Sequence, residues 1–470
     1  MSDDRPTISI SPGPGAPPAS STAETLLTLS EERDPVVVAA AVSEVEPHDA
    51  AHLLSQLPPE RAGAVVPLLE PGQMAQIVTQ MDADRAAEVL ESMHPDHATA
   101  VLAELSPDDR VDILDELPEE KHDELVAGLD AEDRAEVRLL EQYAPDTAGG
   151  IMTPEVTKLY EYLSVQDAIE TLRRLHEELE QMFYVYVIDR HGHLCGVLSM
   201  RDLILARPET RLSEIMIPRD KVRALPADMD QEEVANLFRR YHYLAMPVVD
   251  RHERLIGLVT VDDVVDVMQE ETTEDVHKLF GAGAEEKLTS PWYYSFQKRV
   301  GWLGVNLLTA FVGAAVVAAF QGTIAQLAIL AAFLPIVSAV GGNASVQAMA
   351  VTVRGLAAGR VDRALLRQVL VRELKVGVVA GIVIGLLMFG ITVVTSGHDV
   401  GWSRAAEYGT VVAAAMVANL TLGCLVGTSV PVLMQRLGFD PAQSATIFTT
   451  AITDAVGFLL LLALAATFLL

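Results

Sequence analysis

Cysteine is nearly absent from this 470-residue chain, which has two. Cys195 falls in a predicted strand and Cys424 in a predicted membrane span. No disulfide framework is available, and the expected compartment is reducing. Positive charge is scarce as well: 34 Lys and Arg stand against 65 Asp and Glu, for a net charge of −31. The deficit is local. Residues 298–470 carry 10 Lys/Arg and 6 Asp/Glu, leaving 24 and 59 to residues 1–297. A region that acidic repels nucleic acid and anionic lipid, so nucleic acid is excluded as a partner. The first residues have neither a basic n-region nor an apolar h-region and are expected not to act as a signal peptide. Residues 1–30, rich in Pro, Gly and Ser, read as a disordered tail. No Gly-x-x-x-x-Gly-Lys-Ser/Thr phosphate loop occurs, so no nucleotide-driven energy coupling is visible. The length exceeds one ordinary domain.

Charge of either sign is missing from a run of 54 residues between Arg299 and Arg354. That run holds two predicted spans, 301–321 and 324–350, followed by 376–397, 408–434 and 444–469. Each approaches or exceeds the ~20 apolar residues a bilayer crossing requires. Lys298 and Arg299, the basic group Arg354, Arg360, Arg363, Arg367, Arg372 and Lys375, and Arg436 fall on one side of a five-span arrangement. By the positive-inside rule the acidic region is cytoplasmic and the C-terminus lies outside. Asp454 is the only acidic residue in the stretch 441–470. An ionised carboxylate at mid-membrane costs on the order of 3 kcal/mol by insertion scales, so such a residue is a functional candidate by default. With no basic partner in its span it points to a cation path. Thr449, Thr450 and Thr453 beside it, with Asn419 and Thr421 in the fourth span, complete a polar stripe; hydroxyls in spans also commonly bond their own backbone. In the second span, Pro335 precedes Gly341-Gly342-Asn343, and Asn343 and Gln347 are four apart on one helical face. Small residues there signal a helix break or close helix packing.

Residues 35–140 repeat a helix-start signal about every 12 positions: Pro58, Pro71, Asp82, Pro95, Pro107, Pro118 and Asp130. Apolar pairs such as Val89-Leu90 and Val101-Leu102 lie between. The pattern predicts a solenoid-like stack of short helices. Asp108 and Asp112 share a face, as a solvated acidic surface would also arrange them. A second repeat has an offset of 61. Val185–Leu203 and Met246–Val264 align Asp189 with Asp250, Gly196 with Gly257 and Asp202 with Asp263. Each copy reads as strand, tight turn, strand and a helix opened by Asp. Beyond the second copy Asp263, Asp266, Glu270 and Glu274 follow helical spacing, with no Lys or Arg until Lys278. Unpaired like charges at this spacing are destabilising. A divalent cation held by oxygen ligands, Mg²⁺ or Ca²⁺ rather than zinc, would offset them; a solvated acidic helix is the plainer alternative.

The 61-residue repeat resembles a pair of CBS motifs, an α/β module that often binds adenine nucleotides. Taken in order, the short-helix domain, the CBS pair, the acidic helix and the five spans resemble the MgtE family of magnesium channels over roughly residues 35–470. The most specific motifs are the segment 143–154 (YAPDTAGGIMTP), Pro335 with Gly341-Gly342-Asn343, and Asp440-Pro441 followed by Thr449-Thr450-Ala451-Ile452-Thr453-Asp454. The resemblance implies a multidomain membrane protein: an all-α superhelical N domain (31–148) after the tail, an α/β CBS pair (149–268), a connecting plug helix (269–297) and an α-helical transmembrane domain of five spans per chain (298–470). It implies a homodimer in the plasma (inner) membrane, with Asp454 binding hydrated Mg²⁺ in a pore along the dimer axis. Asn343, Gln347, Asn419, Thr450 and Thr453 are the candidate lining. Regulatory Mg²⁺ is implied at Asp108, Asp112, Glu232, Asp263, Asp266, Glu271, Glu274 and Asp275, and ATP at Tyr184, Arg201, Asp202 and Tyr243. Two positions depart from the family pattern: Ser345 replaces a usual glycine, and His242 stands where an acid is common.

The expected activity is passive Mg²⁺ influx closed by cytoplasmic Mg²⁺, with no enzymatic step. An ion-coupled transporter of Mg²⁺ or Co²⁺ is the rival. An intramembrane hydrolase lacks a second aspartate or a His-Glu-x-x-His motif in the spans. A nucleotide sensor without transport leaves Asp454 unexplained.

Overall fold

The computed structural model describes residues 34–175, 184–284, 286–287, 290–357, 363–443 and 445–470. The N-terminal tail and Arg360 lie outside them. The chain divides into two units, one ending at Val267 and one running Met268–Leu470.

Among the described residues of the first unit, nine short α-helices come first: α1 (Pro35–Val42), α2 (Pro47–Gln56), α3 (Pro59–Val65), α4 (Pro71–Thr79), α5 (Ala83–Ser92), α6 (Pro95–Ala103), α7 (Pro107–Asp115), α8 (Glu119–Gly128) and α9 (Ala131–Leu140). Six open on proline, whose missing N–H is no loss in a first turn. Asp130 caps α9 by accepting from the Glu132 and Asp133 amides at 2.8 and 3.0 Å. Each helix packs on the one two places along, α1 on α3, α2 on α4 and so on to α7 on α9, which makes the expected solenoid. Leu54, Leu90, Leu102, Leu114, Leu125 and Leu140 are its fully buried spine. A feature unread in the sequence is a recurrent arginine. Arg110 donates Nε to the Leu102 carbonyl at 2.8 Å and Nη2 to that of Leu105 at 3.0 Å. Arg134 repeats this on Val126 and Leu129 at 3.2 and 2.6 Å. Both close the C-terminal carbonyls of an earlier helix with positive charge.

The two CBS copies form two sheets. One has the order β1-β2-β3-β4, with β1 (Lys158–Tyr160), β2 (Tyr184–Ile188), β3 (Leu194–Ser199) and β4 (Ile217–Pro218). The other is β5-β6-β7, with β5 (Leu225–Pro226), β6 (Ala245–Val249) and β7 (Leu255–Thr260). Both have a parallel first pair, an antiparallel hairpin and an irregularity at the same place, Val187/Ile188 and Val248/Val249. In each turn one Asp oxygen accepts two amides: Asp189 from His191 and His193, and Asp250 from His252 and Arg254, at 2.7 and 2.9 Å in both copies. Gly192 (φ 85°) and Glu253 (φ 60°) hold the same left-handed position. Helices α10 (Val165–Leu175), α11 (Met200–Leu205), α12 (Leu212–Ile215), α13 (Gln231–Tyr241) and α14 (Val261–Phe280) complete the module. The helix after the first hairpin opens on Ser199, with Asp202 three residues inside, rather than on Asp itself. The second CBS copy shares a continuous core with the solenoid: Leu140, Ala148, Met152, Val234, Phe238, Val259 and Val264 belong to it. The segment 143–154 makes that junction, and a Cβ on Gly150 would lie 2.4 Å from the Ala144 carbonyl oxygen. The acidic helix is α14. It ends at Phe280 instead of reaching residue 297.

In the second unit five helices among the described residues are long and apolar enough to span a membrane: α15 (Trp292–Ala319), α17 (Leu330–Ala357), α18 (Arg363–Val400), α19 (Trp402–Arg436) and α20 (Ala445–Phe468). A short helix α16 (Gln321–Gln326) precedes α17, so the second span starts later than residue 324. α17 runs unbroken through Pro335 and Gly341-Gly342. Of the two sequence readings, close packing is the one observed. A Cβ on Gly341 would lie 2.1 Å from Asn419 Nδ2, and one on Gly427 2.1 Å from the Ser345 carbonyl oxygen. Along α18, Gly377 and Gly381 bring a Cβ within 2.7 and 2.8 Å of the α-carbons of Thr421 and Val417 on α19.

Candidate ion-binding sites

Asp454 lies on α20 and is half-buried. The Ser338 hydroxyl, on α17, donates to its Oδ1 at 2.5 Å. The polar stripe around it divides by partner. Thr453 is buried and spends its hydroxyl on the Thr449 and Thr450 carbonyls at 3.0 and 2.9 Å. Asn419 is fully buried and donates Nδ2 to the Val337 carbonyl at 2.8 Å. Both therefore serve the bundle interior rather than an open lining. The reason is spacing: Gly341 and Gly457 leave room for Asn419 between helices. Thr450 is half-buried, and Asn343 and Gln347 are exposed one turn apart on α17, as their spacing required. Ser345 is buried against Gly427, and its hydroxyl oxygen has no partner among the described residues.

In the first unit the fold brings Asp108 of α7 and Asp263 of α14 into electrostatic contact. Burial, then the Asp109 charge, pushes Asp108 up to about 6 against the opposing hydroxyls of Ser106 and Thr153. Its Oδ1 is buried without a hydrogen-bond partner among the described residues. Burial, then the Asp108 charge, pushes Asp263 up to about 7, although the Thr260 hydroxyl donates to it. Asp266 is raised by burial and then by Asp262, Asp109 and Asp82. Asp82 had been legible only as a helix start. Asp112 and Glu232 are exposed. His242 ends α13 in a left-handed conformation, φ 56°, with its amide on the Phe238 carbonyl at 2.7 Å.

In the second unit Glu274, Asp275 and Asp440 form another acidic group, which Lys278 enters. Lys278 Nζ lies 3.1 Å from Asp440 Oδ2 and also contacts Glu274. Burial, then the Asp440 charge, pushes Asp275 up to about 6, with smaller contributions from Glu271 and Glu274. Leu279, next in sequence, packs with Met349, Val353 and Ala442, and its carbonyl accepts from the Thr446 hydroxyl. The role of Asp440 was not read from the sequence, because it sits in a loop rather than in the acidic helix.

Among the described residues no three His, Cys, Asp or Glu side chains are gathered as a metal cage. The strongest acid–acid repulsion on Asp263 comes from Asp108, and that on Asp275 from Asp440. Paired carboxylates suit an ion that keeps most of its waters, as Mg²⁺ does.

A cavity of about 210 Å³ opens in the CBS pair, lined by Tyr184, Tyr186, Val197, Lys221, Arg223 and Tyr243 among others. Arg201 and Asp202 are not in the lining; Asp202 bonds Ser199 at 2.6 Å. Lys221 and Arg223, absent from the sequence reading, supply its positive charge.

Comparison with known proteins decides the family. The magnesium transporter MgtE of Thermus thermophilus is 37% identical over 343 residues, 72% of this chain and 73% of the relative. The chain belongs to the MgtE family. The family model described as a divalent cation transporter matches residues 334–464, the MgtE intracellular N domain matches 45–146, and CBS domains match 148–209 and 212–270. The Bacillus subtilis magnesium transporter MgtE is 32% identical over 73% of this chain and 74% of its own length. A solved structure described as the cytosolic domain of the Mg²⁺ channel MgtE in complex with ATP is 39% identical, with a TM-score of 0.48, and covers 53% of this chain and 99% of that one. Family membership and the five apolar helices make this a multi-pass membrane protein with a soluble N-terminal region.

Proposed function

We propose that this MgtE-family chain forms a homodimeric Mg²⁺ channel that admits Mg²⁺ passively and is closed by cytoplasmic Mg²⁺. The observation that carries the reading is Asp454: a carboxylate within an apolar helix, held by a neutral hydroxyl rather than by a cation. Mg²⁺ dehydrates reluctantly. One Asp454 from each of two chains grips the ion through its waters, firmly enough for entry and loosely enough for exit. Exposed Asn343 and Gln347 extend the polar surface for that water shell. The membrane potential drives entry, at about 2.3 kcal/mol per charge per 100 mV. The exposed apolar side chains of α15, Leu303, Leu307 and Phe311, suit lipid or a second copy. The acidic region is cytoplasmic and the C-terminus outside.

Closure follows from the acidic pairs. Asp108 with Asp263 and Asp109 with Asp266 would hold cytoplasmic Mg²⁺, and Glu271, Glu274, Asp275 and Asp440 would hold a further ion, whose charge would offset their repulsion. Asp112 and Glu232 add charge that draws the ion in. A ligand that binds the closed arrangement better shifts the population toward it. When Mg²⁺ falls, the carboxylates repel and the arrangement loosens. The CBS cavity supports a second, regulatory ligand. Its three tyrosines and the Lys221 and Arg223 cations suit an adenine nucleotide, base stacked and phosphates neutralised.

Coupled transport needs another titratable group in the bundle. Glu373 is buried in α18, but Arg372 holds its Oε1 at 2.6 Å. The test is Mg²⁺ flux into proteoliposomes with the external dye response recorded under imposed membrane potential. Flux that follows potential and persists without a proton or sodium gradient is expected. Flux that requires such a gradient would move the protein to the coupled class.

A further inference from the structure

Several threonine hydroxyls in the bundle bond the carbonyl four residues back, a common outlet for a hydroxyl in a helix. Thr352, Thr392 and Thr421 do so at 2.7–2.8 Å, and Thr453 at 3.0 Å. Ser338 does not. Its proton goes to Asp454 Oδ1 at 2.5 Å, across 116 residues of sequence. The backbones on both sides of that contact are fixed by one buried side chain. Asn419 of α19 holds the Val337 carbonyl, next to Ser338, at 2.8 Å. Its amide fills the space in which a Cβ on Gly341 or Gly457 would lie 2.1 or 2.8 Å from Nδ2. Gly341 is one turn beyond Ser338, and Gly457 one turn beyond Asp454. Three helices are thus keyed at the level of the carboxylate.

We propose that Ser338 is a positioning residue for Mg²⁺ passage: it holds one Asp454 oxygen so that the other is presented to the hydrated ion. The inference rests on the reading of Asp454 as the ion site. A hydroxyl donated to a carboxylate is a short, charge-assisted hydrogen bond. It fixes the rotamer of Asp454 and withdraws Oδ1 from the ion, so the aqua ion meets a single oxygen. Asn419 acts behind it by setting the height of Ser338 on α17.

The experiment uses the full-length protein in proteoliposomes with a Mg²⁺-sensitive dye, comparing wild type with Ser338→Ala, Ser338→Thr and Asp454→Asn. Co²⁺ is included as a competitor, and detergent-solubilised samples are melted in parallel. Ser338→Ala is expected to raise the half-saturating Mg²⁺ concentration about tenfold and to reduce discrimination against Co²⁺, the scale of one hydrogen bond to a charged group. Ser338→Thr, which keeps the hydroxyl, is expected to return both within about twofold of wild type. If both serine variants match wild type while Asp454→Asn loses flux, the positioning role is wrong and the ion site stands. If Asp454→Asn conducts normally, the ion site itself is wrong and this inference goes with it. Equal losses in both serine variants, tracking an equal fall in melting temperature, would show that Ser338 only packs the helices.

Discussion

Carboxylates are handled differently in the two units. In the first unit Asp108 and Asp263 face each other with no lysine or arginine among the forces that set their titration, and both are pushed up, to about 6 and about 7. In the second, the one side-chain hydrogen bond to Asp454 among the described residues comes from a serine hydroxyl. On the function proposed above, the difference separates two demands on the same ion. A site that reports an ion benefits from carboxylates too close to coexist without it, because the ion then changes the structure. A site that passes an ion must not hold it, and one carboxylate through a water shell suffices. The acidic group at the end of α14 lies between these limits, since Lys278 already neutralises part of it.

The contrast can be broken most severely at the passing site. Asp454→Asn is expected to cut Mg²⁺ flux about 100-fold, the scale of losing a charge-assisted hydrogen bond to the ion's water shell, read in proteoliposomes. The reporting site should answer on a different axis. Asp263→Ala with Asp266→Ala should leave open-state flux intact but move the Mg²⁺ concentration for half-closure up about tenfold, within the usual range of coupling energies. Patch recording with stepped cytoplasmic Mg²⁺ measures this, and unchanged closure would remove these residues from the sensor. The raised pKa values sharpen the comparison further. Asp108 and Asp263 bind protons in the folded unit at pH values where the unfolded chain has released them. Without Mg²⁺, stability should therefore fall as pH rises from about 4 to about 7. Added Mg²⁺ should stabilise most above pH 7 and least near pH 5, where protons hold the same oxygens. Thermal melts of the soluble region across that range, with and without Mg²⁺, test the sign. The smallest effect belongs to Lys278→Ala. A half-buried ion pair contributes about 1 kcal/mol or less, so half-closure should shift no more than about fivefold toward higher Mg²⁺.

The layout was legible because it rests on periodicity. Proline every 12 residues, a 61-residue offset and long apolar runs each survive as solenoid, sheet pair and spans. Polar residues within spans were harder. A sequence says that Asn419 and Asn343 lie in helices, but only Gly341 and Gly457 opposite Asn419 decide that it is clamped inside, while Asn343 is exposed. The acidic face of α14 was visible as spacing, whereas its partners Asp82 and Asp440 come from a helix start of the other repeat and from a loop, neither of which shares that spacing. Lys221 and Arg223 were overlooked for the same reason: they sit in the lead between CBS copies, not in the repeat. Arg110 and Arg134 are 24 residues apart, two repeats, and that signal was available to a reading that sought basic as well as acidic periods.

The glycines that α18 turns toward α19 carry a mechanical consequence. Where a methyl group would strike an α-carbon at 2.7–2.8 Å, two helices cannot slide past each other without first coming apart. α18 and α19 therefore travel as a single beam. α17 and α20 are tied to α19 as closely, a Cβ on Gly341 or Gly457 lying 2.1 or 2.8 Å from Asn419, so on the function proposed above any widening past Asp454 falls to α15, where a Cβ on Gly313 would meet Phe458 of α20 at a looser 3.3 Å.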